Sequence, residues 1–250
     1  MEFWLHQCNT IWDIKKACDA GLYTESDVSI TKDKRIIVCH PGTLDPDPIK
    51  LTWKEASKAH PSLILLDTLL TFLVLHPGHL CCFDIKINSE ELAVEVARRI
   101  DSAKLNSQSY VTAFQKRIPP LGLESNGRLL KRVKGEYPEV KTHLIATFPF
   151  NLVKLAEEYK ADMISFGWLE NPRLDRTISK ALFHAIKPFS NLCWNINNLQ
   201  NMGVKVMAGI FNDIKTVKYF IDMGVDAVMT ENSVSILAQL DTRGYGHEQK

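Results

Sequence analysis

The chain has 250 residues, of which 45% are hydrophobic and 24% charged, and its formal net charge is +1. This balance is ordinary for a soluble globular protein, and it does not indicate a nucleic acid or an anionic membrane as a partner. The length suits one α/β barrel or two smaller domains. No apolar run reaches the roughly 18 residues that a membrane span requires, so we expect no transmembrane segment.

The six cysteines form no recognisable metal or redox motif, because no CxxC pair occurs and no Cys/His cluster has zinc spacing. Several lie in apolar strand-like runs, where Cys behaves as a small hydrophobe. We therefore expect reduced, buried cysteines and a cytoplasmic protein. The first residues lack the basic and apolar segments of a signal peptide, although a secreted protein trimmed to its mature form would begin in the same way.

Short apolar runs alternate with amphipathic stretches along the first half of the chain, which predicts parallel strands connected by helices. The predicted strands of this half are 3–6, 23–29, 35–40 and 80–86, with a turn joining the second to the third. The predicted helices are 10–20, 52–59, 67–75 and a stretch to about residue 104 that Asn88 caps, with Glu91 three residues on.

The second half repeats this rhythm. Its predicted strands are 109–114, 143–148, 163–166, 204–211 and 227–230, and its predicted helices are 123–135, 152–159, 177–186 and 214–224. Gly203 and Gly224 each lie between a helix and a strand, as left-handed helix caps do. About eight strand–helix units, with no glycine-rich phosphate loop, favour a single-domain (β/α)₈ TIM barrel over an open nucleotide-binding sheet. We expect it to span 1–250, with 241–250 as a frayed tail.

Six ionisable residues fall at consecutive predicted strand ends, and the carboxyl ends of the strands form the active site of such a barrel. They are His6, Glu25, Asp27, His40, Asp84 and Lys86. Three carboxylates in one pocket repel unless a hard divalent cation such as Mg²⁺ or Ca²⁺ binds them. Two histidines can act as base and acid, and a lysine can hold a phosphoryl oxygen. This set predicts metal-dependent cleavage of a small-molecule phosphodiester.

Each of these six residues can also be explained without a catalytic site. A strand-end His can be satisfied locally, Asp84 and Lys86 can form a simple ion pair, and Glu25 and Asp27 can lie on a solvated edge. Their coincidence at neighbouring strand ends favours a site. The remaining histidines lie near prolines, in a helix, at a strand start or in the tail, and we interpret them as non-catalytic: His60, His76, His79, His143, His184 and His247.

Several segments together resemble the glycerophosphodiester phosphodiesterases: 6–10, 20–21, 25–33, 37–40, 83–86 and the closing 224–230. The resemblance implies a barrel that hydrolyses glycerophosphodiesters to glycerol phosphate and an alcohol through a cyclic phosphate. It implies that His6 and His40 are the acid/base pair, and that Lys86 contacts the phosphate. It implies a metal site made of Glu25, Asp27 and Asp84, and Mg²⁺ is the first ion that we expect there. Asn212 matches an Asn common at the family's seventh strand end.

The chain departs from the family pattern at several positions. Gln7 and Cys8 replace the usual Arg and Gly, Pro41 replaces an Asp, Asp84 replaces a Glu, and the Trp expected before Asn212 is absent. With Asp at position 84 the chain resembles the sphingomyelinase D-like phospholipases. Its loop after His40, however, lacks the cysteine pair that the spider toxins of that group have. Two alternatives therefore stay open. One is a phospholipase D-like enzyme, and the other is a degenerate barrel that binds a phosphodiester without turnover.

Two further side chains are candidate substrate contacts. Gln7 retains a neutral amide donor where the family has a cation, and we expect this donor to contact the phosphate weakly. Trp168 lies near a predicted strand end and would suit an apolar or choline-like group. Phe211 is a similar candidate, for which packing in the core is the expected role.

Overall fold

The computed structural model describes residues 1–115, 127–146, 149–168 and 173–241. Within them the β-strands are β1 Glu2–Leu5, β2 Tyr23–Ile30, β3 Ile36–Val38, β4 Ile64–Leu65, β5 Cys81–Ile85, β6 Ser109–Phe114, β7 Lys141–Ala146, β8 Met163–Phe166, β9 Lys205–Ala208 and β10 Ala227–Thr230. The α-helices are α1 Ile11–Asp19, α2 Trp53–Ala59, α3 Leu66–Leu75, α4 Glu90–Ser102, α5 Gly127–Glu136, α6 Leu152–Tyr159, α7 Arg173–Ile186, α8 Leu192–Asn201, α9 Ile214–Asp222 and α10 Ser233–Asp241.

Eight parallel strands close into a barrel. Their order is β1, β2, β5, β6, β7, β8, β9 and β10, and β1 pairs in parallel with both β10 and β2 to complete the ring. Phe3 lies opposite Val228 on one side of β1, and Trp4 lies opposite Tyr23 on the other. The (β/α)₈ TIM-barrel prediction is therefore confirmed.

The strands β3 and β4 lie outside this ring. The last three residues of β2, of which Val28 also pairs with β5, pair with β3, which runs antiparallel to β2. The strand β3 then pairs antiparallel with β4. We refer to 31–65, which contains β3 and β4, as the excursion. It has a small core of its own, made of Ile37, Cys39, Leu44, Ala56 and Leu63. The predicted strand 35–40 is thus present, but it is shorter and is not a barrel strand.

Several predicted elements have the bounds that the sequence pattern indicates, namely the strands 109–114, 163–166 and 227–230 and the helix 152–159. Gly203 and Gly224 have φ of 77° and 83°, the left-handed conformation expected of them. The predicted cap of α4 is wrong by one residue, because the Oγ of Ser89 accepts the Leu92 N–H at 3.2 Å. The helices α8 and α10 lie outside the predicted elements. The predicted positions 123–126, 147–148 and 242–250, including all but one residue of the expected tail, lie outside the described residues.

Large side chains fill the barrel interior, among them Trp4, Tyr110, Met163 and Met207. His143 points into the same interior. It is the third residue of β7 rather than the start of a strand, it is fully buried, and its Nδ1 lies 3.2 Å from the Thr112 Oγ1. Burial lowers the pKa of His143 to about 3. A neutral imidazole therefore packs below the carboxyl ends of the strands.

All six cysteines are free, as predicted, but not all are buried. Cys18 on α1 is half-buried and Cys193 on α8 is exposed. Within the described ranges, no helix has the length and hydropathy that crossing a bilayer requires.

Candidate active site

Three carboxylates meet at the carboxyl end of the barrel. Glu25 and Asp27 are two residues apart on β2, so both point to the interior, and Asp84 on β5 is the register partner of Asp27. One carboxylate oxygen from each of the three lies within 4.8 Å of the others. All three are buried, with exposed fractions of 1%, 0% and 4%. The predicted convergence of these side chains is confirmed.

Lys86 lies against this carboxylate cluster. Its Nζ is 2.7 Å from the Asp27 Oδ1, and it also donates to the Asp84 Oδ2. Burial alone would lower the pKa of Lys86, but Asp84, Glu25 and Asp27 together raise it, so the ammonium keeps its charge. The simple Asp84–Lys86 ion pair considered from the sequence does exist, and it extends to Asp27.

Burial raises the pKa of Glu25, and the neighbouring Asp27 raises it further against the opposing effect of Lys86. Burial also raises the pKa of Asp84, which Lys86 counteracts. With the carboxylates ionised, three negative charges and one ammonium leave a net charge of about −2 in a buried site. A single divalent cation would neutralise that charge.

The donor atoms fit such a cation. The Oε1 of Glu25 is buried and has no hydrogen-bond partner among the described residues. A buried carboxylate oxygen without a partner is costly, and a hard cation that takes oxygen ligands would satisfy it. The acidic triad could therefore hold a divalent metal ion.

Three consecutive residues of the loop after β1 form hydrogen bonds with Glu25 and Asp27 of β2. The Gln7 N–H donates to the Glu25 Oε2 at 2.8 Å, and the Cys8 N–H donates to the Glu25 carbonyl at 2.8 Å. Asn9 and Asp27 bond reciprocally, because the Asn9 Nδ2 donates to the Asp27 Oδ2 at 2.7 Å and the Asp27 N–H donates to the Asn9 Oδ1 at 2.8 Å. These contacts orient two carboxylates of the cluster.

His6 follows β1 and stands above Glu25. Its Nε2 is 3.7 Å from the Glu25 Oε2, and its Nδ1 is 3.8 Å from the Glu231 Oε1, and both distances are too long for hydrogen bonds. Burial, together with a smaller effect of Lys86, lowers the pKa of His6 to about 4. The ring is therefore neutral near pH 7 and has a lone pair with which to accept a proton.

His40 reaches the same rim by a different route. The excursion turns back after β3, and the Cys39 N–H donates to the Asp27 carbonyl at 2.8 Å, which sets the next residue beside the cluster. The Gly42 N–H donates to the His40 Nδ1 at 3.1 Å. Because that backbone donor uses Nδ1, the half-buried ring has Nε2 for other partners.

Neither a protein-family model nor a curated protein matches this sequence. Solved structures do match it. A glycerophosphodiester phosphodiesterase from Parabacteroides distasonis superposes with a TM-score of 0.71 at 15% identity, covering 97% of each chain. A second one, from Thermotoga maritima, superposes with a TM-score of 0.67 at 15% identity, covering 95% of this chain and 97% of the other. A phosphodiesterase from Oleispira antarctica, in complex with the product sn-glycerol-3-phosphate, superposes with a TM-score of 0.67 at 15% identity. The match covers 96% of this chain and 97% of the other.

This chain has the glycerophosphodiester phosphodiesterase fold. At such low identity the likeness concerns the fold, and the function must be argued from the site.

In this glycerophosphodiester phosphodiesterase fold, Asn212 lies at the rim after β9. Its Nδ2 donates to the Glu231 Oε2 at 2.7 Å, and its Oδ1 accepts from the Thr230 Oγ1 at 3.1 Å and from the Glu231 N–H at 3.0 Å. Asn212 thus positions Glu231, which in turn lies beside His6. Its predicted contact with substrate stays a prediction.

Two residues of the rim were missed by the sequence reasoning. Glu231 follows β10 directly, so the same strand-end rule that selected His6 also applies to it. Asn9 has no comparable signal, because it lies in the loop after β1 and acts through a contact between neighbouring strands.

Gln7 and Trp168 differ in their surroundings, and the predicted contact of each with substrate stays a prediction. The side chain of Gln7 is exposed and its backbone adopts a left-handed φ of 56°, so its observed link to the cluster is the backbone N–H. Trp168 is 6% exposed and packs on Phe211 and Phe183, with ring centroids 4.5 and 5.3 Å apart. Phe211 is fully buried and stacks on Phe220, which is the packing role expected of it. Trp168 thus packs against core residues, and Lys180 Nζ also lies 4.9 Å from the centre of its ring.

Proposed function

We propose that this protein is a divalent-metal-dependent phosphodiesterase that hydrolyses glycerophosphodiesters to glycerol phosphate and an alcohol. The observation that carries the proposal is the buried cluster of Glu25, Asp27 and Asp84 with Lys86, at the carboxyl end of the barrel. The fold supports it, and so does the sn-glycerol-3-phosphate bound by the Oleispira protein.

The metal site of the proposal comprises Glu25, Asp27 and Asp84. Mg²⁺ is our first choice, with Ca²⁺ as the other candidate, since both prefer oxygen ligands. When bound, the ion would polarise a phosphoryl oxygen and offset its negative charge. Lys86 already shares Asp27 and Asp84, so its ammonium borders the same space and would contact a phosphoryl oxygen as a second positive charge.

The two histidines move protons in this proposal. His6 is held neutral, so it accepts the proton of the substrate hydroxyl next to the phosphate as that oxygen attacks phosphorus. His40 presents Nε2 and, in its protonated form, donates a proton from that atom to the departing alcohol. Because Nδ1 also carries a proton in that form, it no longer accepts from the Gly42 N–H, and this contact opens. The attack forms a cyclic phosphate and releases the alcohol. A water molecule then opens the ring, with the two histidines exchanging roles.

The test is a panel of glycerophosphodiesters and lysophospholipids assayed with Mg²⁺, with Ca²⁺ and with a chelator, identifying the phosphorylated product in each case. We expect glycerol phosphate from the glycerophosphodiesters and loss of turnover in the chelator. Release of a head-group alcohol from lysophospholipids alone would indicate the phospholipase D-like alternative. Binding without turnover of any compound would indicate the degenerate barrel.

A companion experiment uses Gln7→Arg, which restores the cation that the resembling family has at this position. A gain in turnover of simple glycerophosphodiesters would identify a weakened glycerophosphodiesterase. No gain would count against glycerophosphodiesters as the preferred substrates. Gln7→Ala is the matched control, and we expect it to be mild because the contact of Gln7 with Glu25 is made by its backbone.

A further inference from the structure

The imidazole of His6 lies between two carboxylates at the carboxyl end of the barrel. Its Nε2 faces the Glu25 Oε2 at 3.7 Å, and its Nδ1 faces the Glu231 Oε1 at 3.8 Å. The Nδ1 atom is buried and has no hydrogen-bond partner among the described residues. Most buried polar side-chain atoms have a partner, so the carboxylate beyond Nδ1 is a candidate for that role.

The two carboxylates differ in how their oxygens are used. Glu25 accepts the Gln7 N–H at its Oε2, and its buried Oε1 is the atom that a cation would satisfy. Glu231 lies outside the acidic triad, and its side chain is 35% exposed, so it can shift without entering the buried cluster. Its Oε2 accepts from Asn212, which leaves Oε1 on the side of His6.

The side chain of Asn212 is itself held in one orientation. Its Oδ1 accepts from the Thr230 Oγ1 at 3.1 Å and from the Glu231 N–H at 3.0 Å. The Thr230 Oγ1 in turn accepts the Asn232 N–H at 3.0 Å. Because two donors occupy the amide oxygen, the amide nitrogen faces the Glu231 Oε2, to which it donates at 2.7 Å. The residues around the end of β10 thus orient the Glu231 carboxylate beside His6.

The two nitrogens of a neutral imidazole have opposite roles, because one carries the proton and the other carries a lone pair. A carboxylate beside Nδ1 favours the tautomer that has its proton on Nδ1, since it can accept a hydrogen bond from that N–H and cannot donate one. The lone pair of His6 then lies on Nε2, which faces the acidic cluster. This is the side of the ring on which a bound phosphodiester would lie.

We propose that Glu231 is the positioning residue of His6, accepting a hydrogen bond from its Nδ1–H so that Nε2 can take the proton of the substrate hydroxyl. The inference rests on the proposed function, in which His6 is the base. The observed 3.8 Å must shorten by about 1 Å, and catalytic hydrogen bonds commonly tighten in this way when substrate binds. Once Nε2 has taken the proton the ring is a cation, and the adjacent carboxylate stabilises it.

The variant Glu231→Gln tests this assignment with almost no change in side-chain size. The Asn212 Nδ2 is a donor, so it would hold the oxygen of the introduced amide and turn the amide NH₂ towards His6. A donor beside Nδ1 favours the opposite tautomer, whose proton on Nε2 prevents that atom from accepting another. We expect kcat to fall about 10–10²-fold with little change in KM, because substrate binding is not affected.

The tautomer of His6 is measured by nitrogen NMR of isotopically labelled protein in Mg²⁺ without substrate, with the signals assigned by comparison with His6→Ala. We expect the Nδ1–H form in the wild type and the Nε2–H form in Glu231→Gln. The matched control is Glu157→Gln, which removes the same charge at an exposed position of α6 and should change neither the tautomer nor turnover. Thermal unfolding checks that each variant is folded.

Asn212→Ala provides a second test, because it releases the Glu231 carboxylate without changing its charge. A fall in kcat would support the anchoring of Glu231, whereas a rise in KM alone would contradict it. The Nε2–H form in the wild type, an unchanged tautomer in Glu231→Gln, or an unchanged kcat in that variant would each overturn the inference. Absence of phosphodiester turnover by the wild type would refute the proposed function instead, since the tautomer is observed without substrate.

Discussion

Replacing Lys86 with Met removes an ammonium from among buried carboxylates while keeping most of the side-chain volume. The Nζ of Lys86 lies 2.7 Å from the Asp27 Oδ1, so at an effective dielectric constant of about 20 this pair attracts by about 6 kcal/mol. Desolvation offsets part of that. Removing one partner of a buried ion pair typically costs about 3–5 kcal/mol, because the other partner is left uncompensated. We expect a loss of that size in the free energy of unfolding without metal.

A divalent cation should reverse much of this loss. Without the ammonium, the cluster has three carboxylates and no cation, so Mg²⁺ should stabilise Lys86→Met more than it stabilises the wild type. Turnover should nevertheless fall about as far as it does when a histidine is removed, about 10² or more, because a phosphate contact is lost.

The assay is urea unfolding in chelator and in Mg²⁺, together with turnover of a glycerophosphodiester. Lys54→Met, at an exposed lysine of α2, is the control and should change neither property. If Lys86→Met were as stable as the wild type in chelator and kept its turnover, Lys86 would neither neutralise the cluster nor bind phosphate.

Three further outcomes are expected. His6→Ala and His40→Ala should each lower turnover by about 10² or more with little change in urea unfolding, and a variant that keeps near wild-type rates would contradict the acid/base assignment. Glu25→Gln should weaken Mg²⁺ binding in calorimetry by about tenfold or more, whereas Glu231→Gln, at the same rim but outside the cluster, should not. The pKa of His143 is about 3 in the fold and about 6.5 in the unfolded chain, so the stability conferred by this neutral ring is complete above pH 6.5 and is lost as the pH falls towards 3. The free energy of unfolding should change by at most about 1.4 kcal/mol per pH unit through this group. This pH dependence should be smaller in His143→Asn, and an unchanged dependence in urea titrations would contradict the burial of a neutral imidazole.

The barrel strands were largely predictable because each is a short apolar run between helical stretches. β8 and β10 illustrate this, since each is fully buried and their bounds follow directly from the pattern. The helix α8 was harder to recognise. Its buried residues Leu192, Ile196 and Leu199 have helical spacing, but the asparagines between them have weak helix propensity and obscure the pattern.

The convergence of Glu25, Asp27 and Asp84 was predictable for a similar reason. Strand alternation and parallel register together determine which side chains share the interior. The partners of these side chains were not predictable. The reach of Lys86 to both Asp27 and Asp84, and the reciprocal bonds of Asn9, depend on distances between neighbouring segments that no pattern along one strand encodes.

His40 belongs to a different part of the fold from the other residues of the site. Glu25, Asp27, Asp84 and His6 belong to the barrel or directly follow its strands, whereas His40 depends on the excursion. The excursion packs on the main core through Ile36 and Val38, and the rest of its apolar residues form a small core of their own. Units of this kind open locally at a lower free energy than the global transition. On the proposed assignment, mild denaturant should therefore displace His40 first, leaving a barrel that still binds the proposed cation but no longer turns over substrate.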